Sequence, residues 1–172
     1  RGRRRARGRC VAGRSGGAAA AGRLGGRGGP RRYRELLRAS RIGPTPTLAT
    51  AMRELGSEAP AFVSASAVGI YGDRPGERLT EASSPGGTFL ARLSADWEEA
   101  ALAAGPPARV SLLRTAPILH PDGVLKPLIA LTRIGAGGPL GTGRQVWPGI
   151  SLDDEVRAIR HGIDRGVPGP VN

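Results

Sequence analysis

The chain has 172 residues, which suffice for one domain with a core of ordinary size and exclude a multidomain machine. Its formal net charge of +12 lies in residues 1–38, where 13 arginines stand against one acid, Glu35. The single cysteine, Cys10, excludes an internal disulfide, and two histidines without a Cys-x-x-Cys pair give no zinc-binding spacing, so we predict no metal. No apolar run reaches the roughly 18 residues of a membrane span, and we expect a cytoplasmic protein with no membrane partner.

Residues 1–29 hold ten glycines, nine arginines and no acid, and they predict a disordered leader before a domain at residues 30–172. Such a leader is one alternative route to function, since it could bind the phosphates of RNA or DNA. Against that, 25 arginines to one lysine indicate a composition bias of the source. The chain starts at Arg1 without a methionine, so we expect it to be N-terminally incomplete or misread there.

Two helices and a buried strand are predicted next. A short helix lies around Tyr33–Arg38, and a second has Thr45 as its N-cap, Pro46 at its first position and Gly56 after its end. The compact apolar run from Ala61 to Ala67 then predicts a buried strand that ends in a loop.

A helix and a second strand follow. From Thr88 the sequence predicts a helix that has Phe89, Leu93, Trp97 and Ala100 on one stripe, and residues 108–116 predict another short apolar strand. A strand, a helix of about 17 residues and a strand form the βαβ unit of a parallel sheet. Ala61–Ala67 and Arg109–Thr115 should therefore lie side by side and point the same way.

The last third of the chain predicts two more helices. One lies around Leu125–Leu131, and a glycine-rich segment at 135–143 follows it. The other starts at Ser151 or Asp153 as N-cap and turns Val156, Ile159 and Ile163 inward. The acids at its start are interpreted as helix capping rather than as a metal site.

Several motifs carry a family resemblance when they are taken in order: SASAVGIYGD at 64–73, Thr80-Glu81, FLARLSADWEEAA at 89–101, RVSLLRTAPIL at 109–119, GGPLGTGRQ at 137–145 and the closing GPVN. Residues 38–172 resemble the epimerase-like atypical short-chain dehydrogenase/reductases. That family is related to the NAD-dependent epimerase/dehydratases, and its members are labelled nucleoside-diphosphate-sugar epimerases or cell-division-inhibitor homologues.

The resemblance implies an α/β fold, the C-terminal half of a Rossmann-like doubly wound parallel sheet with a small substrate lobe. It also implies NAD or NADP as cofactor and a small molecule such as a nucleotide sugar as substrate. Carried over position by position, it implies Ser66 as a catalytic residue, Ser64, Arg114 and Thr115 as cofactor-binding residues, and Arg144 and Gln145 as substrate-binding residues. Tyr71, in a loop beside this site, is the remaining candidate catalytic acid.

Each of these roles has a plainer alternative. Ser66 is as compatible with a backbone hydrogen-bond partner as with a catalytic group, and Tyr71 could instead pack a turn with its hydroxyl in water. Arg144 could clamp a phosphate or carboxylate with its planar fork, or remain a solvated surface arginine.

Two features of such enzymes are missing from the sequence. The tyrosine and lysine four residues apart that transfer a proton have no counterpart, because Phe89 and Leu93 occupy their place. Gly22, Gly25 and Gly28 match a dinucleotide-binding pattern only as letters, since no strand pattern precedes them and no apolar helix follows. We therefore predict an epimerase- or reductase-like NAD(P)-binding protein, with a non-catalytic Rossmann relative and a nucleic-acid-binding module as alternatives.

Overall fold

A computed structural model describes residues 10–12, 29–138, 141–143 and 145–172. The helices are α1 (Gly29–Ile42), α2 (Pro44–Leu55), α3 (Phe89–Leu102), α4 (Lys126–Arg133) and α5 (Leu152–Arg165). The strands are β1 (Cys10–Ala12), β2 (Phe62–Ala67), β3 (Val110–Thr115), β4 (Ile118–Leu119), β5 (Ile150–Ser151) and β6 (Gly169–Val171). Short 3₁₀ turns at Gly56–Glu58 and Val68–Tyr71 flank β2.

Four strands form one parallel sheet in the order β1-β2-β3-β6, and β4 and β5 form a separate parallel pair. Strands β2 and β3 run side by side over six residues, from Phe62 opposite Val110 to Ala67 opposite Thr115. The predicted βαβ unit is therefore confirmed, with α3 as its crossover helix.

Helices cover both faces of this sheet. Phe62 and Leu112 belong to a buried cluster with Ala49 and Met52 of α2 and Ala101 of α3. Neighbouring strand residues point to opposite faces. On the opposite face α5 approaches so closely that a Cβ on Gly162 would lie 3.4 Å from the Val63 side chain. These two layers of helix confirm a doubly wound α/β arrangement.

Helix α1 is longer than the predicted short stretch and lies on α2 and α3 rather than on the sheet. Three arginines at helical spacing contact α3. Arg34 stacks over Phe89, Arg38 pairs with Asp96, and Arg41 stacks over Trp97. These three arginines of α1 thus bind that helix to α3.

Thr45 is not the N-cap of α2, as the sequence suggested. The helix begins at Pro44 after Gly43, because Pro44 supplies a first-turn proline two residues before Pro46. Thr45 is instead buried, where its hydroxyl donates to the Arg41 carbonyl (2.7 Å) and accepts from the Trp97 indole (3.0 Å).

Helix α5 begins where it was expected, since the Ser151 hydroxyl accepts a hydrogen bond from the Asp154 backbone N–H (3.1 Å). The inward position predicted for Val156 is wrong, because that side chain is 55% exposed. Glu155 and Gly162 are buried, whereas Ile159 and Ile163, the other two residues predicted to face inward, are half-buried.

Strand β1 lies within the segment for which we predicted disorder. It pairs in parallel with Phe62–Ser64 and forms one end of the described sheet. Most of the predicted leader, residues 1–9 and 13–28, lies outside the described residues.

Candidate active-site edge of the sheet

The site residues predicted on β2 and β3 lie at the edge of the sheet where these strands end. Ser66 is level with Arg114 and Ala67 with Thr115. Strand β6 ends at the same edge, because it runs parallel to β3 with Val171 level with Leu113. Ligands of open α/β sheets bind outside the carboxyl ends of the strands. This edge is therefore the candidate functional site.

A buried ion pair joins β3 to α3 at this edge. Arg114 donates from Nε to Glu98 Oε1 (2.8 Å) and from Nη2 to Glu98 Oε2 (2.9 Å), and both residues are buried. Donation to the Glu98 carboxylate raises the pKa of the Arg114 guanidinium above its ordinary value. Two parallel hydrogen bonds fix the plane of both groups as well as their separation.

Ser66 is tied to the same carboxylate. Its hydroxyl donates to Glu98 Oε1 (2.5 Å), and the residue is 5% exposed. The predicted catalytic serine is thus held from the side of α3, and one hydrogen-bonding function of its hydroxyl is already used.

Tyr71 connects this ion pair to the end of β6. The Arg114 Nη1 donates to the Tyr71 oxygen (2.8 Å), and Tyr71 donates to Asn172 Oδ1 (2.6 Å). The guanidinium also stands over the ring, 5.2 Å from its centre. Tyr71 is 3% exposed, so the alternative of a hydroxyl in water is wrong.

The loop before α3 closes the network from outside. The Glu81 carbonyl accepts from Arg114 Nη1 (3.0 Å), and Glu81 Oε1 accepts from the Asn172 backbone N–H (3.1 Å). Hydrogen bonds from the backbone N–H groups of Glu81 and Asn172 lower the pKa of the Glu81 carboxyl. One loop residue therefore contacts both β3 and the end of β6.

A glycine allows the same loop to lie against Tyr71. A Cβ on Gly86 would lie 2.5 Å from the Tyr71 carbonyl oxygen, and the Gly86 N–H donates to the Ile70 carbonyl (2.8 Å). Any larger residue there would push the loop off the 3₁₀ turn that holds Tyr71.

The other two predicted cofactor residues are separated from this network. The Thr115 hydroxyl donates to Glu155 Oε1 of α5 (2.8 Å), on the opposite face of the sheet from Arg114. Ser64 is fully enclosed on the face of α2 and α3. The structure thus brings Ser66, Tyr71 and Arg114 together, and it does not bring Ser64 or Thr115 to them.

Of the predicted substrate residues, Gln145 is exposed in the segment between α4 and β5, and Arg144 lies outside the described residues. Their roles stay predictions.

Sequence reasoning missed Glu98 and Asn172, and it interpreted Glu155 as one of the acids that cap α5, whereas this buried carboxylate accepts a hydrogen bond from Thr115. A signal for Glu98 was present, because it falls at helical spacing with the small residues Ala91, Ser94 and Ala101, all of which are buried. On the predicted apolar stripe of α3, Phe89 contacts α1 and Trp97 contacts α2. These small residues form a second face of α3, and the position of Glu98 among them indicates that the helix is buried on two sides.

Within the described residues, every buried side-chain nitrogen and oxygen has a hydrogen-bond partner, and no three His, Cys, Asp or Glu side chains converge as a metal site would need. No described helix is both long and apolar enough to cross a bilayer. A cavity of about 370 Å³ lies between α5 and strands β3 and β6.

The chain is similar in sequence to known proteins. An epimerase family protein of Mycobacterium bovis is 42% identical over 143 residues, which cover 81% of this chain and 47% of that protein. A chloroplastic epimerase family protein of Arabidopsis thaliana is 36% identical over 72% of this chain and 36% of its own length. The chain spans about half the length of the bacterial relative, and no family model matches it.

The fold of this chain is also similar to those of solved structures. A nucleoside-diphosphate sugar epimerase from Corynebacterium glutamicum superimposes with a TM-score of 0.68 at 37% identity, over 82% of this chain and 31% of that one. The human epimerase family protein SDR39U1, solved with NADPH, superimposes with a TM-score of 0.76 at 27% identity, over 82% of this chain and 49% of that one.

Proposed function

We propose that this chain, which belongs to the epimerase-like atypical short-chain dehydrogenase/reductases, binds NAD or NADP and acts on a nucleotide sugar or a related small molecule. It spans about half the length of the bacterial relative. One observation carries the proposal: 82% of the chain superimposes on the human relative that was solved with NADPH. Further support comes from a parallel sheet whose β2, β3 and β6 all end at one edge.

The described residues fit only part of a dinucleotide. The pyrophosphate of such a cofactor needs a glycine-rich turn that joins a strand directly to a helix N-terminus. Helices α3 and α5 instead start at the side-chain caps Thr88 and Ser151. None of the helices whose preceding residues the structure describes starts from such a turn. We therefore assign no described residue to the pyrophosphate, and the proposal concerns the edge formed by β2, β3 and β6.

The proposal contains no proton-transfer step. Phe89 and Leu93 stand in α3 where the resemblance expects tyrosine and lysine, and neither side chain can titrate. The role of this chain in the proposed function is therefore to bind and orient its ligands, with Ser66, Tyr71 and Arg114 as the residues of the edge.

A titration of the 172-residue chain with NADPH and with NAD tests the cofactor. A ligand that binds only the folded state stabilises it, by about 2.7 kcal/mol at a hundredfold excess over Kd. We expect the melting temperature to rise with NADPH or NAD and not with ribose 5-phosphate. Absence of a shift with both cofactors would rule out the proposal.

A matched pair of variants tests the cofactor contact assigned to Thr115. Thr115→Ser keeps the hydroxyl and Thr115→Val removes it at almost constant volume. We expect the valine variant to bind the cofactor more weakly than the serine variant. Equal Kd values would remove Thr115 from the site without affecting the rest of the proposal.

A second candidate function is a non-catalytic Rossmann relative that senses or presents a ligand. The hydrogen bonds that Ser66, Arg114 and Tyr71 make within the chain favour it, because such bonds stabilise the fold without any substrate. Conversion of a nucleotide sugar to an epimer or to an oxidised or reduced product, followed with NAD or NADP present, would distinguish the two. If turnover occurs and Ser66→Ala leaves it unchanged, Ser66 has no catalytic role.

A further inference from the structure

The polarity of the hydrogen bonds at the edge is set by Glu98 and Arg114. An ionised carboxylate paired with a guanidinium accepts hydrogen bonds and donates none. The hydroxyl of Ser66, 2.5 Å from Glu98 Oε1, must therefore donate its hydrogen to that carboxylate. What Ser66 retains is acceptor capacity, so it cannot donate to a carbonyl or phosphate oxygen of a ligand while the ion pair is intact.

Arg114 fixes the donor and acceptor roles of the hydrogen bonds between β3 and the end of β6 in the same way. A guanidinium only donates, so Tyr71 accepts from Arg114 Nη1 at 2.8 Å. Tyr71 is left with one hydrogen, and it donates this hydrogen to Asn172 Oδ1 at 2.6 Å. The carboxamide of Asn172 is thereby oriented, with its oxygen turned to Tyr71 and its NH₂ group on the other branch.

We propose that the Asn172 side-chain NH₂ is the hydrogen-bond donor that this edge offers to a ligand, and that it binds an acceptor oxygen of the cofactor or of the nucleotide sugar. Asn172 directly follows β6 at the edge where ligands of parallel sheets bind. Its backbone N–H is fixed on Glu81, and its Nδ2 has no partner among the described residues. This inference rests on the proposed function.

Binding measurements on Asn172→Asp test the inference. The substitution keeps an oxygen for Tyr71 and replaces the NH₂ by an oxygen of almost the same size. Calorimetric titrations with NADPH and with UDP-glucose, in separate arms, show which ligand supplies the acceptor. We expect the Kd of at least one of them to rise about tenfold or more. A Kd unchanged for both ligands, when wild type binds either one, overturns the inference.

The control variant is Ser57→Asp, which adds the same single charge on an exposed turn before β2, at the other end of the strands. It should bind both ligands as wild type does. If it weakens binding as much as Asn172→Asp does, the effect is one of net charge and the inference fails. If wild type binds neither ligand, the proposed function fails and the ligand role of Asn172 fails with it.

A measurement without ligand isolates the orientation of the amide. The chain holds one asparagine and one glutamine, so a ¹⁵N spectrum contains two side-chain amide pairs. Tyr71→Phe should shift the Asn172 pair and leave the Gln145 pair in place. An unshifted Asn172 pair would show that Tyr71 does not hold the amide, which overturns the orienting step whatever the binding data give.

Discussion

Glu98 and Arg114 face each other across α3 and β3 through two hydrogen bonds of 2.8 and 2.9 Å, and less than a tenth of either residue is exposed. Ser66 and Tyr71 are both bonded to this pair, so the geometry of the candidate site depends on it.

Loss of one partner of this ion pair should destabilise the fold strongly. Glu98→Gln removes the charge and leaves the Arg114 guanidinium buried without its counter-ion, which typically costs about 3–5 kcal/mol. The matched control is Glu99→Gln, the exposed neighbour on the same helix, for which we expect a change within about 0.5 kcal/mol. Urea unfolding followed by circular dichroism measures both, and equal stabilities would contradict a structural role of the pair.

The hydrogen bond between Thr45 and Trp97 should contribute to the packing of α2 on α3. Thr45→Val keeps the volume and removes the acceptor of the Trp97 indole N–H, which leaves a buried donor unsatisfied at a cost of about 1–3 kcal/mol. The exposed Thr47→Val, half a turn along the same helix, should change stability by less than about 0.5 kcal/mol. Thermal unfolding compares the two variants, and a Thr45→Val variant as stable as wild type would refute the contact.

Gly86 should tolerate no side chain, whereas Gly87 should. A Cβ on Gly86 would collide with the Tyr71 carbonyl, and such overpacking costs about 1–3 kcal/mol. A Cβ on Gly87 meets nothing within 4 Å, so Gly87→Ala should be neutral or slightly stabilising. Melting temperatures of the two alanine variants decide the point, and the prediction fails if Gly86→Ala melts no lower than Gly87→Ala.

Glu81 should make stability depend on pH in the acid range. The backbone N–H groups of Glu81 and Asn172 lower its pKa in the folded state below its ordinary value. Its contribution is therefore present above the pKa of the unfolded chain and is lost as the pH falls through the lower, folded pKa. The difference in melting temperature between wild type and Glu81→Gln should be largest near neutral pH and should vanish in acid.

The control for this titration is the exposed Glu54→Gln, which should follow the wild-type curve. A difference between wild type and Glu81→Gln that stays constant from pH 7 to strongly acid conditions would show that the carboxylate gains nothing from these N–H groups.

The predicted architecture was largely confirmed because it depends on local pattern. The apolar runs that gave β2 and β3, the helix predicted from Thr88 and the N-cap predicted at Ser151 or Asp153 are read within a few residues of chain. All of them occur, with Ser151 as the cap. The N-cap predicted at Thr45 was wrong because the surroundings of that residue depend on a distant part of the chain. Its neighbour Trp97 lies 52 positions away, and no local pattern indicates that a helix N-terminal threonine will be buried under it.

The amino-acid sequence by itself determined the class of fold, the family, and the absence of a tyrosine-lysine dyad, since these depend on residue identity and spacing along the chain. Only the tertiary structure decided which polar groups meet. Glu98, Arg114, Tyr71 and Asn172 come from α3, β3, a 3₁₀ turn and the end of β6. Their hydrogen bonds take their direction from the Glu98 carboxylate, which only accepts, and the Arg114 guanidinium, which only donates. Which of these groups meet depends on how a helix is rotated against a sheet and not on spacing along the chain.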